Sequence, residues 1–350
     1  MTDPTSRSGE TEFLALIEGA ERQRVARRRF IRLCGGAAAM TGGLSLLSAC
    51  GDDDGDEEDP VPSPTPNPTT GVSEVDVLNF ALQLEYLEGA YYAYAVSGRG
   101  IDAPLLGGSG TQGEVVTGSG AGAARAVDFT DPILREYARE IAADEVYHIR
   151  YLRDALGSAR VAQPTINLSG SASVTVNGAT VPGAFTAAAR AAGIVGPNDV
   201  FDPFASDENF LMGSYLLTDV GVTAYRGSAR LIANKSFLDA TAGILATECY
   251  HDAVIRSELW RRGLTVPDIY ARVARVSDAR DALDGAGETD QDVGDATTAN
   301  IVPTDGGGLV LGRTAPQVLN VVFQNRAAVT RGGFFPAGVN GAIVTSAGNT

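Results

Sequence analysis

Residues 143–151 read ADEVYHIRY, and residues 246–254 read ATECYHDAV. The two stretches hold the only histidines of the chain, His148 and His251. Each follows a glutamate by three residues, Glu145 or Glu248, and a tyrosine directly, Tyr147 or Tyr250. On a helix, positions i and i+3 share a face, so each pair presents a carboxylate and an imidazole in one direction. Ile141/Ile244 and Ala143/Ala246 extend the correspondence. The pattern predicts two related helices whose Glu–His pairs converge. They meet either around metal or as hydrogen-bonded polar residues enclosed in a bundle.

Outward from these motifs, four segments combine helical periodicity with start and stop signals. The first opens on a capping box, Ser73-x-x-Asp76, and stops near Ser97-Gly98. The second runs from Asp131-Pro132, with proline in the first turn, to Gly157. The third follows Ser206 and continues to Asn234; the fourth opens on a second capping-box pattern, Ser236-x-x-Asp239, and ends at Gly263. Each is about 25 residues, or ~37 Å of helix. Matched lengths predict an all-α four-helix bundle over residues 73–263. Its loops are long and decorated: a glycine-rich connection at 99–129, and a second between Gly157 and Ser206 with a hairpin at Asn177-Gly178. Residues 264–350 read as an extension packed on the bundle or forming a subunit contact, with helices near Val266–Leu283 and Ala315–Gln324. The intervening TDGGGLVLGRT has glycines but no phosphate-binding lysine, which argues against a nucleotide site.

The N-terminus has a different logic. Arg27-Arg28-Arg29-Phe30-Ile31-Arg32 fits a twin-arginine export signal, carried by Arg27, Arg28 and Phe30. The apolar run 33–49 is short of the ~20 residues that span a bilayer. It ends in Leu47-Ser48-Ala49-Cys50, which resembles a lipoprotein cleavage box; an uncleaved anchor is the alternative. Residues 1–50 are therefore read as a signal and Cys50 as the lipidated residue. The acidic, proline-rich residues 51–72 are read as a disordered linker. The expected location is the cell envelope, periplasmic or on the outer face of a membrane, with the export machinery and the membrane as partners. Lipid on Cys50 would leave Cys249 without a disulfide partner. Of 27 basic and 43 acidic residues, seven and five fall within 1–50, leaving 20 against 38. So acidic a protein does not suit nucleic acid.

The remaining helices should add carboxylates. The apolar stretch LQLEYLEGAYY, residues 82–92, holds Glu85 and Glu88 one turn apart, and burying either is costly without a partner. Glu85 is preferred because Tyr92 lies seven residues on, a spacing that recurs as Thr218 and Tyr225. Thr218, the counterpart of Glu85, is a poor metal ligand. Asp219 beside it is turned ~100° away.

With these motifs the chain resembles the ferritin-like, desiccation-related proteins of bacteria, fungi and plants. The resemblance covers LNFALQLEYLEGAYY, both Glu-x-x-His helices, DPFASDENFL, TDVGVTAYRGSA, RTAPQVLNVVF and GGFFPAGVNG, nearly all of residues 73–345. It implies a ferritin-like bundle and a diiron or dimanganese centre held by Glu85, Glu145, His148, Glu248 and His251. The acid that related dimetal proteins carry on the third helix does not map onto Thr218. A lopsided dimetal site, a single-metal site and a relic all stay open, as do contributions from Glu88, Asp219, Tyr92 and Tyr225. Imidazole with carboxylates suits iron, manganese or zinc rather than copper. The reactions implied are ferroxidase-like oxidation of Fe(II) or catalase-like peroxide disproportionation, with no residue assigned a catalytic role. A lipid-tethered, decorated bundle does not suit a hollow storage cage, whereas a smaller homo-oligomer is compatible. The competing reading is a non-catalytic scaffold for stress protection or envelope binding.

Overall fold

Seven α-helices carry the fold of residues 71–349, the part of the chain that the computed structural model describes. The export signal at Arg27, Arg28 and Phe30, the lipidation site Cys50 and linker residues 51–70 lie outside the described residues. Four long helices, α1 (Glu74–Ser97), α2 (Pro132–Leu156), α4 (Asp207–Ala229) and α5 (Lys235–Gly263), form an all-α ferritin-like bundle. A short α3 (Ala184–Ala191) lies in the crossover, and α6 (Asp268–Asp284) and α7 (Ala315–Phe323) form the extension. No helix among the described residues is long and apolar enough to cross a membrane.

Helix ends follow from local chemistry. Ser73 caps α1 with a full capping box, and Gly98 at φ 70° ends it in the left-handed conformation that glycine adopts without steric cost. Asp131 caps α2, its carboxylate accepting from the backbone N–H of Ile133 at 2.9 Å, with Pro132 behind it. Ser206 caps α4 through the N–H of Asn209 at 3.2 Å. The buried Asp207 carboxylate accepts from the backbone N–H groups of Thr130 and Asp131 at 3.1 and 2.9 Å, tying the start of α4 to that of α2.

One junction differs from the sequence pattern. The third bundle helix stops at Ala229, short of Asn234, and Asn234 rather than Ser236 caps α5. Its side-chain oxygen accepts from the N–H groups of Ser236 and Phe237 at 2.9 and 3.3 Å. A tight corner needs a residue outside both helices. Asn234, with extended backbone, fills that place while Glu74 of α1 accepts its N–H at 2.8 Å. Asn234→Ala is expected to cost about 1 kcal/mol of stability in urea unfolding. Ser236→Ala should stay within about 0.5 kcal/mol.

The bundle has two inner and two outer helices. α1 and α4 are buried on nearly every side, as expected of helices whose apolar residues run all the way round. α2 and α5 keep one face in water. α1 packs on α2 and α4 on α5, while α6 and α7 cover α4 from the far side. Tyr91, Phe185, Phe204 and Phe210 join α1, α3 and the start of α4 in one aromatic cluster. In the crossover, β1 (Val115–Val116) pairs in parallel with β2 (Ile166–Asn167), and β3 (Val174–Val176) forms a hairpin with β4 (Ala179–Val181). The hairpin turns at Asn177 and Gly178, with φ of 49° and 79°, the pair of positive values that a tight two-residue turn requires.

A second polar cluster fastens the extension. Arg256 of α5, Arg280 of α6 and Arg313 before α7 are all essentially inaccessible. Arg256 reaches Asp219 of α4 at 3.0 Å, and Arg280 reaches Asp290 at 2.7 Å and also pairs with Asp219. Arg313 meets Asp290 at 2.7 Å and also pairs with Asp284. Arg280 stacks over the Tyr215 ring at 4.4 Å.

Candidate metal centre

Three of the four bundle helices place acids and histidines in one buried cluster. α1 contributes Glu85 and Glu88, α2 Glu145 and His148, and α5 Glu248 and His251; none is more than 7% exposed. Ligand atoms of Glu85, Glu145, His148 and Glu248 all lie within 4.8 Å of one another. His148 Nδ1 sits 3.2 Å from Glu85 Oε2 and 3.2 Å from Glu248 Oε1. His251 Nδ1 sits 3.2 Å from Glu145 Oε1, whose other oxygen is 3.8 Å from His148 Nδ1.

The cluster has an approximate two-fold relation that exchanges α1 with α4 and α2 with α5. Each histidine faces the glutamate of the other motif at the same 3.2 Å, so the sequence repeat becomes a reciprocal contact in space. The tyrosines follow the same relation. Tyr225 of α4 donates to Glu85 Oε1 on α1, and Tyr92 of α1 hydrogen-bonds Thr218 Oγ1 on α4 at 3.0 Å. Thr218 thus stands in for the missing acid but points its hydroxyl back into its own helix, at Ser214 O, 2.9 Å away.

The ionisation states are set by competition between burial and proximity. Burial pushes the Glu85 carboxyl up to about 8, only partly offset by His148. Burial and then the Glu248 charge push Glu88 well above the usual carboxylate range. Burial and then Glu145 also raise Glu248. Burial would raise Glu145 too, but its closeness to both histidines outweighs it and holds Glu145 at about 2. Burial opposes charge on His251, yet Asp144 and Glu145 carry it up to about 10. Protons here do the work of counter-ions for a crowded set of acids.

Glu85, Glu145, His148, Glu248 and His251, together with Glu88, Tyr92 and Tyr225, are thus brought together. Asp219 is not. It lies in the arginine cluster, where Arg256 and Arg280 neutralise it, because its position one step beyond Thr218 turns it toward the extension. Tyr147 and Tyr250, which precede the histidines, face outward, and Tyr250 is 75% exposed. Cys249 is a free thiol that burial pushes up to about 11, so it stays protonated at neutral pH.

One residue escapes motif reading. Asp144, directly before Glu145, contacts His251 Nε2 at 3.4 Å, on the side of the ring opposite Nδ1. A carboxylate there orients the imidazole and raises its basicity toward whatever Nδ1 binds. The only available signal was that aspartate faces threonine, Thr247, at this place in the repeat. Asp144→Ala is expected to weaken metal binding by about 10–100-fold, measured by competition with a chelator.

The residues fit a metal. Glu85 Oε2, Glu88 Oε2, both oxygens of Glu145 and of Glu248, and Nδ1 of both histidines are buried without hydrogen-bond partners. Such orphaned atoms are rare in native proteins and need an explanation. Those of Glu85, Glu145, His148 and Glu248 converge on shared space, with Glu88 and His251 at its edge, and carboxylates with imidazole nitrogens suit a divalent metal ion.

Comparison with known proteins identifies the fold family. The chain is 29% identical to the ferritin-like catalase Nec2 of Nesocodon mauritianus over 79% of its own length and 86% of the relative's. It is 27% identical to the desiccation-related protein PCC13-62 of Craterostigma plantagineum, over 62% of its own length and 64% of the relative's. No solved structure is significantly similar to it. A family model described as the ferritin-like domain matches residues 73–260, the span that supplies every residue of the cluster, and the chain belongs to that ferritin-like family.

Proposed function

We propose that this protein is an exported, lipid-anchored metalloprotein whose buried Glu–His cluster holds two iron or manganese ions and disproportionates hydrogen peroxide. The observation that carries the reading is the convergence of orphaned carboxylate and imidazole atoms from α1, α2 and α5. The kinship with a protein named as a ferritin-like catalase supports the choice of peroxide. The Arg27-Arg28-x-Phe30 pattern and the box ending at Cys50 support export and tethering. The desiccation-related relative supports a second reading, a protective scaffold without turnover.

Glu85, Glu145, His148, Glu248 and His251 would hold the ions. When bound, a redox-active pair would supply the oxidation and reduction by which two peroxides give one dioxygen and two waters. The protein's own part is positional. Glu145 lies between the two histidines, one oxygen toward each, and would hold metal together with them. Tyr225 fixes Glu85 by donating to Oε1, which leaves Oε2 facing inward. Burial keeps bulk water out. His148 and Asp144 keep slight exposure, 8% and 15% of their side chains.

Protein loaded with iron or with manganese and given hydrogen peroxide should evolve one dioxygen for every two peroxides consumed. Peroxide consumed only together with added Fe(II), without dioxygen, would make the protein a ferroxidase instead. No consumption by fully loaded protein would favour the scaffold.

A further inference from the structure

The geometry points to Glu88 as the displaced fourth carboxylate of the centre, reaching from α1 into space that Gly221 leaves open on α4. This inference rests on the metal reading above and deepens it.

The two-fold relation that matches Glu85 with Thr218 and Tyr92 with Tyr225 also matches Glu88 with Gly221, three residues along each helix. α4 therefore presents threonine and glycine where α1 presents two glutamates. The glycine is what makes room. A Cβ at position 221 would come within 2.6 Å of Glu88 Oε1 and 3.2 Å of Glu248 Oε2. Glu88 thus occupies the volume that a side chain on α4 would fill, beside Glu248 of the opposite motif. Gly221 has an ordinary helical backbone, so conformational freedom does not explain it. The close approach of two carboxylates does.

Two further observations give Glu88 a ligand's character. It is 6% exposed, and its Oε2 has no hydrogen-bond partner. It also borders a small cavity that is otherwise lined by apolar residues, among them Leu84 and Leu87 of its own helix, Leu217 and Val220 of α4, and Val321 and Phe334 of the extension. An acid enclosed by apolar groups and other acids gains nothing from its position without a cation to share. Loss of the acid on α4 and gain of one on α1 are then a single exchange, and the carboxylate count of the centre is kept.

The test uses apo full-length chain titrated anaerobically with Mn(II), the bound ions being counted after desalting, with the thermal midpoint of each apo variant recorded alongside. Wild type should bind two ions. Glu88→Gln, which keeps shape but removes charge, and Gly221→Ala, which keeps the acid but displaces it, should each bind one. The apo Glu88→Gln protein should keep the thermal midpoint of wild type, because an amide matches a protonated carboxyl in shape and charge. A midpoint that falls together with the ion count would mark a structural role for Glu88 instead and overturn the inference. Two ions in both variants would overturn the role of Glu88 while leaving the metal centre standing. No ions in folded wild type would overturn the centre itself, and this inference with it.

Discussion

Glutamine in place of Glu145 is expected to weaken metal binding by at least about 100-fold and to abolish peroxide turnover with it. Loss of even an orienting residue behind a metal ligand costs 10–100-fold, and Glu145 faces both histidines directly, Oε1 to His251 at 3.2 Å and Oε2 to His148 at 3.8 Å. The amide has nearly the shape of the carboxylate but neither its charge nor a second acceptor oxygen. The fold should survive, since Glu145 makes no hydrogen bond that holds the bundle together and its oxygens are unpartnered in the protein alone. Chelator competition measures the affinity, and far-ultraviolet circular dichroism checks that the helices persist. A Glu145→Gln protein that keeps wild-type affinity would remove Glu145 from the centre.

Alanine at Asp219 should give the opposite pattern. Asp219 sits between Arg256 and Arg280, both fully buried, with Arg256 Nη1 3.0 and 3.1 Å from its two oxygens. Burial would raise this carboxyl, but the two guanidinium groups outweigh it and hold it below the usual aspartate range. Removing one member of a buried ion-pair network leaves uncompensated charge and costs about 3–5 kcal/mol, on the order of 10 °C in melting temperature for a domain of this size. The number of metal ions per chain should not change, because Asp219 faces the extension and not the Glu–His cluster. Thermal melting with metal analysis of the folded fraction separates the two effects. A metal-deficient Asp219→Ala protein of normal stability would place this acid in the centre after all.

The contrast between these residues shows where sequence reading succeeds. Glu145, His148, Glu248 and His251 were legible because helical spacing is a local property: i and i+3 share a face whatever the helix packs against. Glu85 was legible because a carboxylate in LQLEYLEGAYY has no polar face to turn to, and because Tyr92 lies seven residues on. The caps at Ser73, Asp131 and Ser206 are local too, and the structure shows all three. Asp219 could not be placed in the same way. Its partners lie 37 and 61 positions away, and only tertiary packing decides that two arginines are buried against it. Asp144 was hidden for the same reason, since its partner His251 is 107 positions distant. At the α4–α5 corner the local pattern marked Ser236 as the cap, and the geometry of the turn gave that place to Asn234, two residues earlier. The helix α3, eight residues of alanine-rich chain inside the crossover, carried too short a periodic signal to stand out.

The role of Glu88 illustrates the same limit in a subtler form. The sequence shows the acid on α1 and the vacancy at Thr218, but not that Gly221 lies against the Glu88 carboxylate. Only their juxtaposition links the two.

The central claim is that the buried cluster is a metal centre, and counting ions tests it most directly. Full-length protein, freed of metal and reconstituted with iron or with manganese, would be analysed for metal per chain beside a Glu145→Ala/Glu248→Ala double variant. About two ions per chain in wild type and none in the folded double variant is the predicted result. Wild-type protein that stays folded and binds no more metal than the double variant would contradict it.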